Sequence, residues 1–240
     1  MNNLLKKNIL GVTLARAGSK GIKNKNIKLL NGKPLLAYTI NESLKSKYLD
    51  EYIVSSDSNE IRQIALDYGA AAPFSRPSKF AGDTASSVVA LQHAVNWMEN
   101  EKNIKYDYVV EVMCTNPFKT HFDIDKCIDI LHLNSADSAI AVHKLEDHHP
   151  ARIKKIIDGK IVDFCVNEIP ESRRQDLKPD AYIRSGSIYA LNRDFLMNSS
   201  RRYGSENSFA YILPQERAIN IDSMIDLMVA ESILKGNFSE

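Results

Sequence analysis

The chain has 240 residues, of which 44% are hydrophobic and 25% charged, so it can bury a substantial core in one large domain or in one domain with an appendage. Lys and Arg number 31 against 30 Asp and Glu, and the formal net charge of +1 favours neither nucleic acid nor an anionic membrane as a partner. The 3 cysteines lack CxxC spacing, which predicts neither a disulfide framework nor a zinc site. No run approaches the roughly 20 apolar residues that span a bilayer, and the first residues lack the apolar run of a secretion signal. We therefore expect a cytoplasmic protein without a membrane span.

Short apolar runs alternate with amphipathic segments along most of the chain. Residues 9–14 form the first predicted strand, and later strands are predicted at 51–56, 107–113, 138–143 and 186–191. Helices are predicted where apolar residues recur at three- and four-residue spacing, at about 34–46, 59–69, 88–98, 120–131 and 223–235. This alternation predicts an α/β fold, with a mostly parallel, doubly wound, Rossmann-like sheet in three layers.

The pattern changes near Asp147, after which the chain is richer in charge and proline. Asp158-Gly159 stands between two β-rich runs there, which predicts a hairpin. The α/β alternation then resumes. We therefore predict that residues 147–183 are a small β-rich insertion in an α/β domain made of 1–146 and 184–240.

The first predicted strand leads into a loop at residues 15–26, which reads ARAGSKGIKNKN. Glycine lets backbone approach a phosphate chain closely, while amides, Arg and Lys supply donors and positive charge. The order is neither GxxxxGK[ST] nor GxGxxG. The composition of the loop predicts that it binds the phosphates of a nucleoside triphosphate, and we call it the phosphate cradle. The alternative is a solvated, lysine-rich loop without a ligand. The candidate nucleotide-binding residues are Ala15, Arg16, Gly18, Ser19, Lys20, Gly21, Lys25 and Asn26.

This loop resembles the A-R-x-x-S-K-G-x-x-x-K-N signature of the acylneuraminate cytidylyltransferases (CMP-sialic acid synthetases), a family that includes the bacterial CMP-nonulosonate synthetases. The resemblance implies a nucleotidyltransferase fold and binding of the CTP triphosphate by the loop. Residues 76–87 resemble a second family element, which implies that Arg76, Asp83 and Ser86 contact the cytosine ring and triphosphate. Asp83 and Ser86 are also expected to start the next helix. Asp57, after the second long strand, is interpreted as a helix cap in preference to a wall of the nucleotide pocket.

Further elements resemble the family's sugar-acid side. MCTNPFK (113–119) matches in part a family stretch at the end of the central strand, and cations of the insertion suit a carboxylate-bearing substrate. The resemblance implies that the substrate-binding residues are Met113, Thr115, Asn116, Arg152, Arg174, Tyr182 and Arg184, and that the insertion makes a homodimer. Metal chelation by the neighbours His148 and His149 is not favoured, since adjacent strand residues point to opposite faces.

INIDSMIDL (219–227) resembles the family's I-D-I-D-x-x-x-D motif. Asp222 keeps the second acid, and Asn220 replaces the first but retains a carbonyl oxygen. The resemblance implies magnesium anchored by Asp222, with Asn220 as a weak ligand and Asp226 in support, because hard cations take oxygen ligands. The alternative is that Asp222 caps the last helix.

The resemblance covers nearly the full chain and implies transfer of CMP from CTP to the C2 hydroxyl of a nine-carbon nonulosonic acid, with release of pyrophosphate. Arg16, Lys20 and Lys25 would neutralise charge on the triphosphate, with magnesium at Asp222. Two alternatives stay open. One is an enzyme that activates the eight-carbon acid Kdo or another sugar, and the other is a non-catalytic nucleotide-binding protein in which Asn220 marks a lost metal site. The sequence leaves N-acetylneuraminic, legionaminic and pseudaminic acids as candidate acceptors.

Overall fold

The computed structural model describes residues 7–19, 21–82, 84–167 and 172–236. The strands within these ranges are β1 (Ile9–Leu14), β2 (Leu29–Leu30), β3 (Lys33–Pro34), β4 (Glu51–Ser55), β5 (Tyr108–Val112), β6 (Ser138–Lys144), β7 (Lys154–Ile157), β8 (Lys160–Asp163), β9 (Tyr182–Asn192) and β10 (Ser208–Ile212). The α-helices are α1 (Leu35–Ser43), α2 (Asn59–Asp67), α3 (Ser87–Lys102), α4 (His121–Leu133), α5 (Arg193–Asn198) and α6 (Met224–Leu234). None of the helices described is both long and apolar enough to cross a membrane.

The central sheet has the strand order β10-β6-β9-β5-β1-β4 among the described residues. β1 pairs in parallel with β4 and with β5, and β10 pairs in parallel with β6. Only β9 runs antiparallel to its neighbours in this sheet as described, between β5 and β6. The prediction of a mostly parallel sheet is confirmed. Its carboxyl edge at β1 and β5 is the place where open α/β sheets bind ligands.

Helices cover both faces of the sheet, because successive strand residues point to opposite sides. On one face, Leu10, Val12 and Val109 pack with Leu91 of α3 and Leu196 of α5. On the other, the strands pack against α4 and against α1 with α2, through apolar residues that include Ile9, Val110, Val54, Ile128, Leu36 and Ile61. The three-layer architecture is therefore confirmed.

Local signals in the sequence predicted most element ends. The α4 capping box is present, since the Thr120 N–H donates to Asp123 Oδ2 at 2.8 Å. α6 starts after Ser223, which also forms a capping box. The interpretation of Asp57 as a cap is wrong: α2 is capped by Ser58, whose Oγ accepts from the Ile61 N–H at 3.3 Å.

The short strands β2 and β3, the helix α5 and the strand β10 were not predicted, and β9 is longer than predicted. β9 starts at Tyr182 instead of 186 because its first residues pair with the end of β6, where Tyr182 lies opposite Lys144. The short helix α5 follows directly, capped by Asn192. β10 is an edge strand of 5 residues without buried positions, and the apolar run at residues 209–213 was the signal in the sequence that could have marked it.

The predicted hairpin is present and forms a separate two-stranded sheet of β7 and β8. Asp158 and Gly159 have φ of 49° and 77°, as a two-residue hairpin turn requires. Ile156 lies opposite Ile161 across the strands, and the two are 77% and 74% exposed. The hairpin thus presents apolar side chains that this single chain leaves uncovered.

Candidate active site

A cavity of about 530 Å³ opens where β1 and β5 end. The loop after β1, the segment before α3, the end of β5 and Asp222 line it. It brings together ten of the residues that the sequence analysis proposed: Arg16, Ser19, Gly21, Lys25, Asn26, Arg76, Ser86, Met113, Thr115 and Asp222. Lys20 and Asp83, two other candidates, lie outside the described residues.

The loop after β1 is tied down by its buried asparagine. Asn26 Nδ2 donates to the Arg16 carbonyl at 2.9 Å, and its Oδ1 accepts from the Cys114 thiol at 2.9 Å. Ala15 is fully buried, and its N–H donates to the Ser55 carbonyl at 3.0 Å. Ala15 therefore positions the start of the loop and does not line the cavity. The result is a loop whose backbone is fixed to both neighbouring strands of β1.

Asp57 connects the loop to Arg76. Its Oδ1 accepts from the Ala17 N–H at 3.1 Å and lies 3.8 Å from the Arg76 guanidinium. Arg76 is 4% exposed and lines the cavity, yet within the described part of the chain its buried Nε has no hydrogen-bond partner. Since an unpaired buried donor costs roughly 1–3 kcal/mol, this N–H is suited to an acceptor brought by a ligand.

The loop also contacts the segment before α6. Lys25 Nζ lies 2.7 Å from Asp222 Oδ1. A Cβ on Gly21 would stand 2.5 Å from the Asp222 carbonyl oxygen, so only glycine permits this approach. None of the described residues lies within 4 Å of a Cβ built on Gly18, which is exposed and does not line the cavity. Of the two predicted glycines, Gly21 is the one whose lack of a side chain the backbone requires.

Asn220 and Asp222 lie next to each other before α6. Asn220 Nδ2 donates to Asp222 Oδ2, while Asn220 Oδ1 is buried near Gly186 and has no hydrogen-bond partner among the residues that the structure describes. Asp226 accepts from the Asp222 N–H at 3.0 Å and from the Ser223 N–H at 2.7 Å, which fixes the backbone that carries Asp222. Because Ser223 is the cap of α6, the alternative reading of Asp222 as a helix cap is wrong. The exposed Asp222 carboxylate at the cavity fits magnesium, whereas Asn220 does not line the cavity and would have to turn its amide to offer Oδ1 beside that carboxylate.

Lys119 is buried behind the cavity floor. Its Nζ donates to Thr39 Oγ1 and the Met113 carbonyl, both at 2.7 Å, and to the Asn116 carbonyl at 2.5 Å. Burial lowers the pKa of Lys119 to about 7. These bonds hold the turn that carries Cys114 and Thr115 into the cavity.

Replacing Lys119 by methionine should reveal this lowered pKa. The unfolded lysine keeps its proton up to about pH 10.5, whereas the folded one loses it near 7, so the unfolded state holds more protons between these values. The free energy of unfolding of the wild type should therefore rise with pH relative to Lys119→Met, by up to about 1.4 kcal/mol per pH unit. Urea unfolding at pH 7, 8 and 9 measures it, with Lys126→Met as an exposed control. Parallel pH profiles for wild type and Lys119→Met would contradict the assignment.

Asn116 does not reach the cavity. It is fully buried, its Oδ1 accepts from the N–H groups of Phe118 and Lys119, and its Nδ2 donates to the Arg217 carbonyl at 2.8 Å. With its amide oxygen and nitrogen both engaged and its side chain outside the cavity lining, Asn116 shapes the turn and does not face a substrate. The sequence pattern missed this because Arg217 lies far along the chain.

The predicted residues of the insertion also lie outside the cavity lining in the single chain. Arg174 donates to Asp147 Oδ1 at 2.8 Å, and Arg152 donates to the Ser172 carbonyl at 2.9 Å. Tyr182 and Arg184 are exposed on β9, where the Arg184 guanidinium stacks 4.7 Å from the Tyr203 ring. His149 uses both ring nitrogens, with the Pro179 carbonyl and the Ala151 N–H.

Some lining residues were not predicted, above all Glu111 in β5, Cys114 and Phe80. Glu111 is 1% exposed and pairs with Arg202. A single carboxylate inside the apolar run YVVEV was the signal in the sequence that could have marked it.

A mostly parallel sheet, a basic glycine-containing loop after its first strand and a cavity above that loop together define an α/β nucleotide-binding protein with the nucleotidyltransferase fold. A solved structure of CMP:2-keto-3-deoxy-manno-octonic acid synthetase complexed with CTP shares this fold. The two have a TM-score of 0.69 at 18% identity, over 96% of this chain and 100% of that chain.

The chain belongs to the cytidylyltransferase family, because the sequence model described as "Cytidylyltransferase" matches residues 10–212. It is 33% identical to the pseudaminic acid cytidylyltransferase of Campylobacter jejuni subsp. jejuni serotype O:23/36 (strain 81-176), over 93% of this chain and 94% of that protein. It is 30% identical to the CMP-N,N'-diacetyllegionaminic acid synthase of Legionella pneumophila subsp. pneumophila (strain Philadelphia 1), over 95% of this chain and 97% of that protein. It is also 30% identical to the post-translational flagellin modification protein B of Campylobacter coli, over 95% of both chains.

Proposed function

We propose that this protein transfers CMP from CTP to the C2 hydroxyl of a nonulosonic acid and releases pyrophosphate. The observation that carries the proposal is the meeting of Arg16, Lys25 and Asp222 in one cavity at the end of β1. Relatives named for pseudaminic and legionaminic acids support the class of acceptor. The unpartnered Nε of Arg76 supports a nucleotide, whose base or phosphate would supply the missing acceptor.

In the proposed reaction, the sugar C2 oxygen attacks the α-phosphorus and the bond from that phosphorus to the pyrophosphate oxygen breaks. Negative charge grows on the leaving pyrophosphate, and the cationic groups of Arg16 and Lys25 would stabilise it. Lys25 would exchange its contact with Asp222 for phosphate oxygens. Asp222 is the candidate acceptor of the proton that the sugar hydroxyl loses.

Magnesium belongs to this proposal. Asp222 would hold it, Asn220 would be a weak ligand once its amide turns Oδ1 toward Asp222, and Asp226 would keep Asp222 in place. When bound, the ion would neutralise phosphate charge and lower the pKa of the sugar hydroxyl. A cytoplasmic location stays a prediction from the sequence.

The decisive experiment follows pyrophosphate release by the purified protein with CTP, magnesium and a panel of acids. The panel contains pseudaminic, N,N'-diacetyllegionaminic, N-acetylneuraminic and Kdo acids, with ATP and UTP as control nucleotides. We expect release with CTP and at least one nonulosonic acid, and little with Kdo. Release with Kdo alone, or binding of CTP without release for any acid, would contradict the proposal.

We further propose that the protein is a homodimer and that the β7–β8 hairpin makes the contact. Ile156 and Ile161 lie opposite each other on the hairpin and are three-quarters exposed. Phe164 follows the hairpin and is 58% exposed. Apolar side chains of this kind are usually covered by a partner.

The variant Ile156→Asp with Ile161→Asp should shift the protein from dimer to monomer, since it places two charges in the proposed interface. Light scattering coupled to size-exclusion chromatography measures the mass. Leu133→Asp is the matched control, because Leu133 is 70% exposed at the end of α4 between the polar residues His132 and Asn134, and single exposed apolar residues of this kind are normal, so the mass should be unchanged. A wild-type monomer, or a dimer that survives the double substitution, would count against the hairpin.

A further inference from the structure

One wall of the cavity contains a buried ion pair that the reaction outlined above does not use. Glu111 lies in the middle of β5, lines the cavity and is 1% exposed. Its Oε2 accepts from Arg202 Nη1. Taking such a pair out of water costs several kcal/mol per ion, and well-packed apolar residues are often as stable, so stability alone does not explain it.

One carboxylate oxygen of Glu111 remains available. Within the described part of the chain, Oε1 has no hydrogen-bond donor, and only Oε2 is paired. Burial raises the pKa of Glu111, and the Arg202 guanidinium opposes that rise. The cavity wall thus presents an acceptor oxygen whose direction is held by an arginine.

The position of Arg202 is itself fixed by aromatic rings. Its guanidinium lies 4.2 Å from the centre of the Tyr189 ring, and Tyr189 is opposite Glu111 across the β5–β9 pair. Arg184 lies 3.4 Å from the Tyr189 hydroxyl and stacks on Tyr203. Stacking of this kind holds a guanidinium in one orientation. We call Glu111, Arg202 and Tyr189 the acidic wall.

Glu111 lies between the two sides of the cavity. It is beside Val12 in the β1–β5 pair, and the Arg76 guanidinium helps to lower its pKa, whereas its partner Arg202 stacks on Tyr189 of β9, on the other side of β5. Phosphate oxygens are acceptors and negatively charged, so a triphosphate would be repelled by Glu111. The wall therefore suits a neutral group with an N–H or O–H donor.

We propose that Glu111, held by Arg202, selects the sugar acid by accepting a hydrogen bond from a neutral N–H or O–H donor on a sugar substituent. This inference rests on the proposed function and specifies its acceptor. Acylamino and hydroxyl substituents share this chemistry. The same wall disfavours an acid that places a methyl group or a second carboxylate against Glu111.

The test uses Glu111→Gln, which keeps the volume but replaces the carboxylate by a neutral amide. The protein is first saturated with a CTP analogue whose α,β-bridge cannot be cleaved, and the acid is then titrated calorimetrically. We expect the Kd of the acid to rise about tenfold, the scale of one charge-assisted hydrogen bond, and the Kd of the nucleotide to stay within about twofold. Pairs of acids that carry either an acylamino group or a hydroxyl at the same carbon identify the donor. Only the acid whose substituent donates to Glu111 should bind Glu111→Gln more weakly than the wild type.

Glu99→Gln is the matched control. Glu99 is also a shielded carboxylate paired with an arginine, at 2.7 Å from Arg193 Nη2, but it does not line the cavity. Glu99→Gln should change neither the Kd of the acid nor the Kd of the nucleotide. Thermal unfolding of both variants checks that each is folded. If Glu111→Gln does not fold, Glu111→Ser provides a second substitution at this position.

The outcomes separate the two proposals. If the wild type saturated with nucleotide binds none of the acids, the proposed acceptor class fails and the role of Glu111 fails with it. If an acid binds wild type and Glu111→Gln equally, only the role of Glu111 is overturned. A variant that loses nucleotide affinity while keeping acid affinity would also overturn it, because Glu111 would then face the cytosine amine.

Discussion

Asp222→Asn is expected to lower the turnover number at least about a hundredfold, a loss of about 2.7 kcal/mol in transition-state stabilisation. Asp222 is the carboxylate of the proposed magnesium site, and an amide offers a dipole in place of a charge to a cation that must organise three phosphates. The same change removes the ion pair with Lys25. Steady-state kinetics over a magnesium titration measures the effect.

Asn220→Asp is the companion variant, and we expect it to keep activity. It would place a second carboxylate beside Asp222, so without a cation the two should repel each other. Its thermal stability should therefore depend on magnesium more strongly than that of the wild type. Near-normal magnesium-dependent turnover by Asp222→Asn would place the metal elsewhere.

Arg16→Ala is expected to reduce kcat/KM for CTP by on the order of 2 kcal/mol, or about thirtyfold, the scale of a charge-assisted hydrogen bond to phosphate. Arg16 lines the cavity, while the fold around it depends on its carbonyl, which accepts from Asn26 and is unaffected by the substitution. Folding should thus be spared.

Arg201→Ala is the control for Arg16, because Arg201 is exposed and donates only locally, to the Gly204 carbonyl at 3.2 Å. Its kcat/KM should stay within about twofold of wild type. If a folded Arg16→Ala protein turned over CTP as well as the wild type did, the loop after β1 would not be the phosphate cradle.

Local features of the fold could be predicted from the sequence. The β7–β8 turn needs residues that tolerate positive φ, which Asp158-Gly159 provides, and the caps of α4 and α6 follow from side chains three residues apart. The direction of β9 could not be predicted in this way. Its antiparallel placement depends on pairing with β5 and β6, and apolar patterns do not encode which strands become neighbours.

The same contrast between local patterns and long-range contacts applies to the residues of the site. The motif after β1 and the segment around Asp222 were found as short patterns, and the structure brings Lys25 and Asp222 together. Asn116 was wrongly predicted to bind substrate, because Arg217, whose carbonyl accepts its hydrogen bond, is distant in sequence. Glu111 was missed because the arginine that makes its burial tolerable stands 91 residues further on. Sequence patterns of up to about a dozen residues identify side chains that belong to the site. Contacts between residues far apart in the chain decide which of those side chains face the cavity.

The contact between Lys25 and Asp222 joins positions that lie 197 residues apart in the chain. Close by, the Ile221 N–H donates to the Thr115 carbonyl at 2.7 Å, and Leu227 and Ala230 of α6 pack with Ile22 and Leu30. The strands of the sheet all precede this segment. A chain that stops after β10 would therefore contain every described strand of the sheet but lack Asp222 and the packing of α6 on Ile22 and Leu30. The last segment to be synthesised thus closes the cavity that the sheet opens.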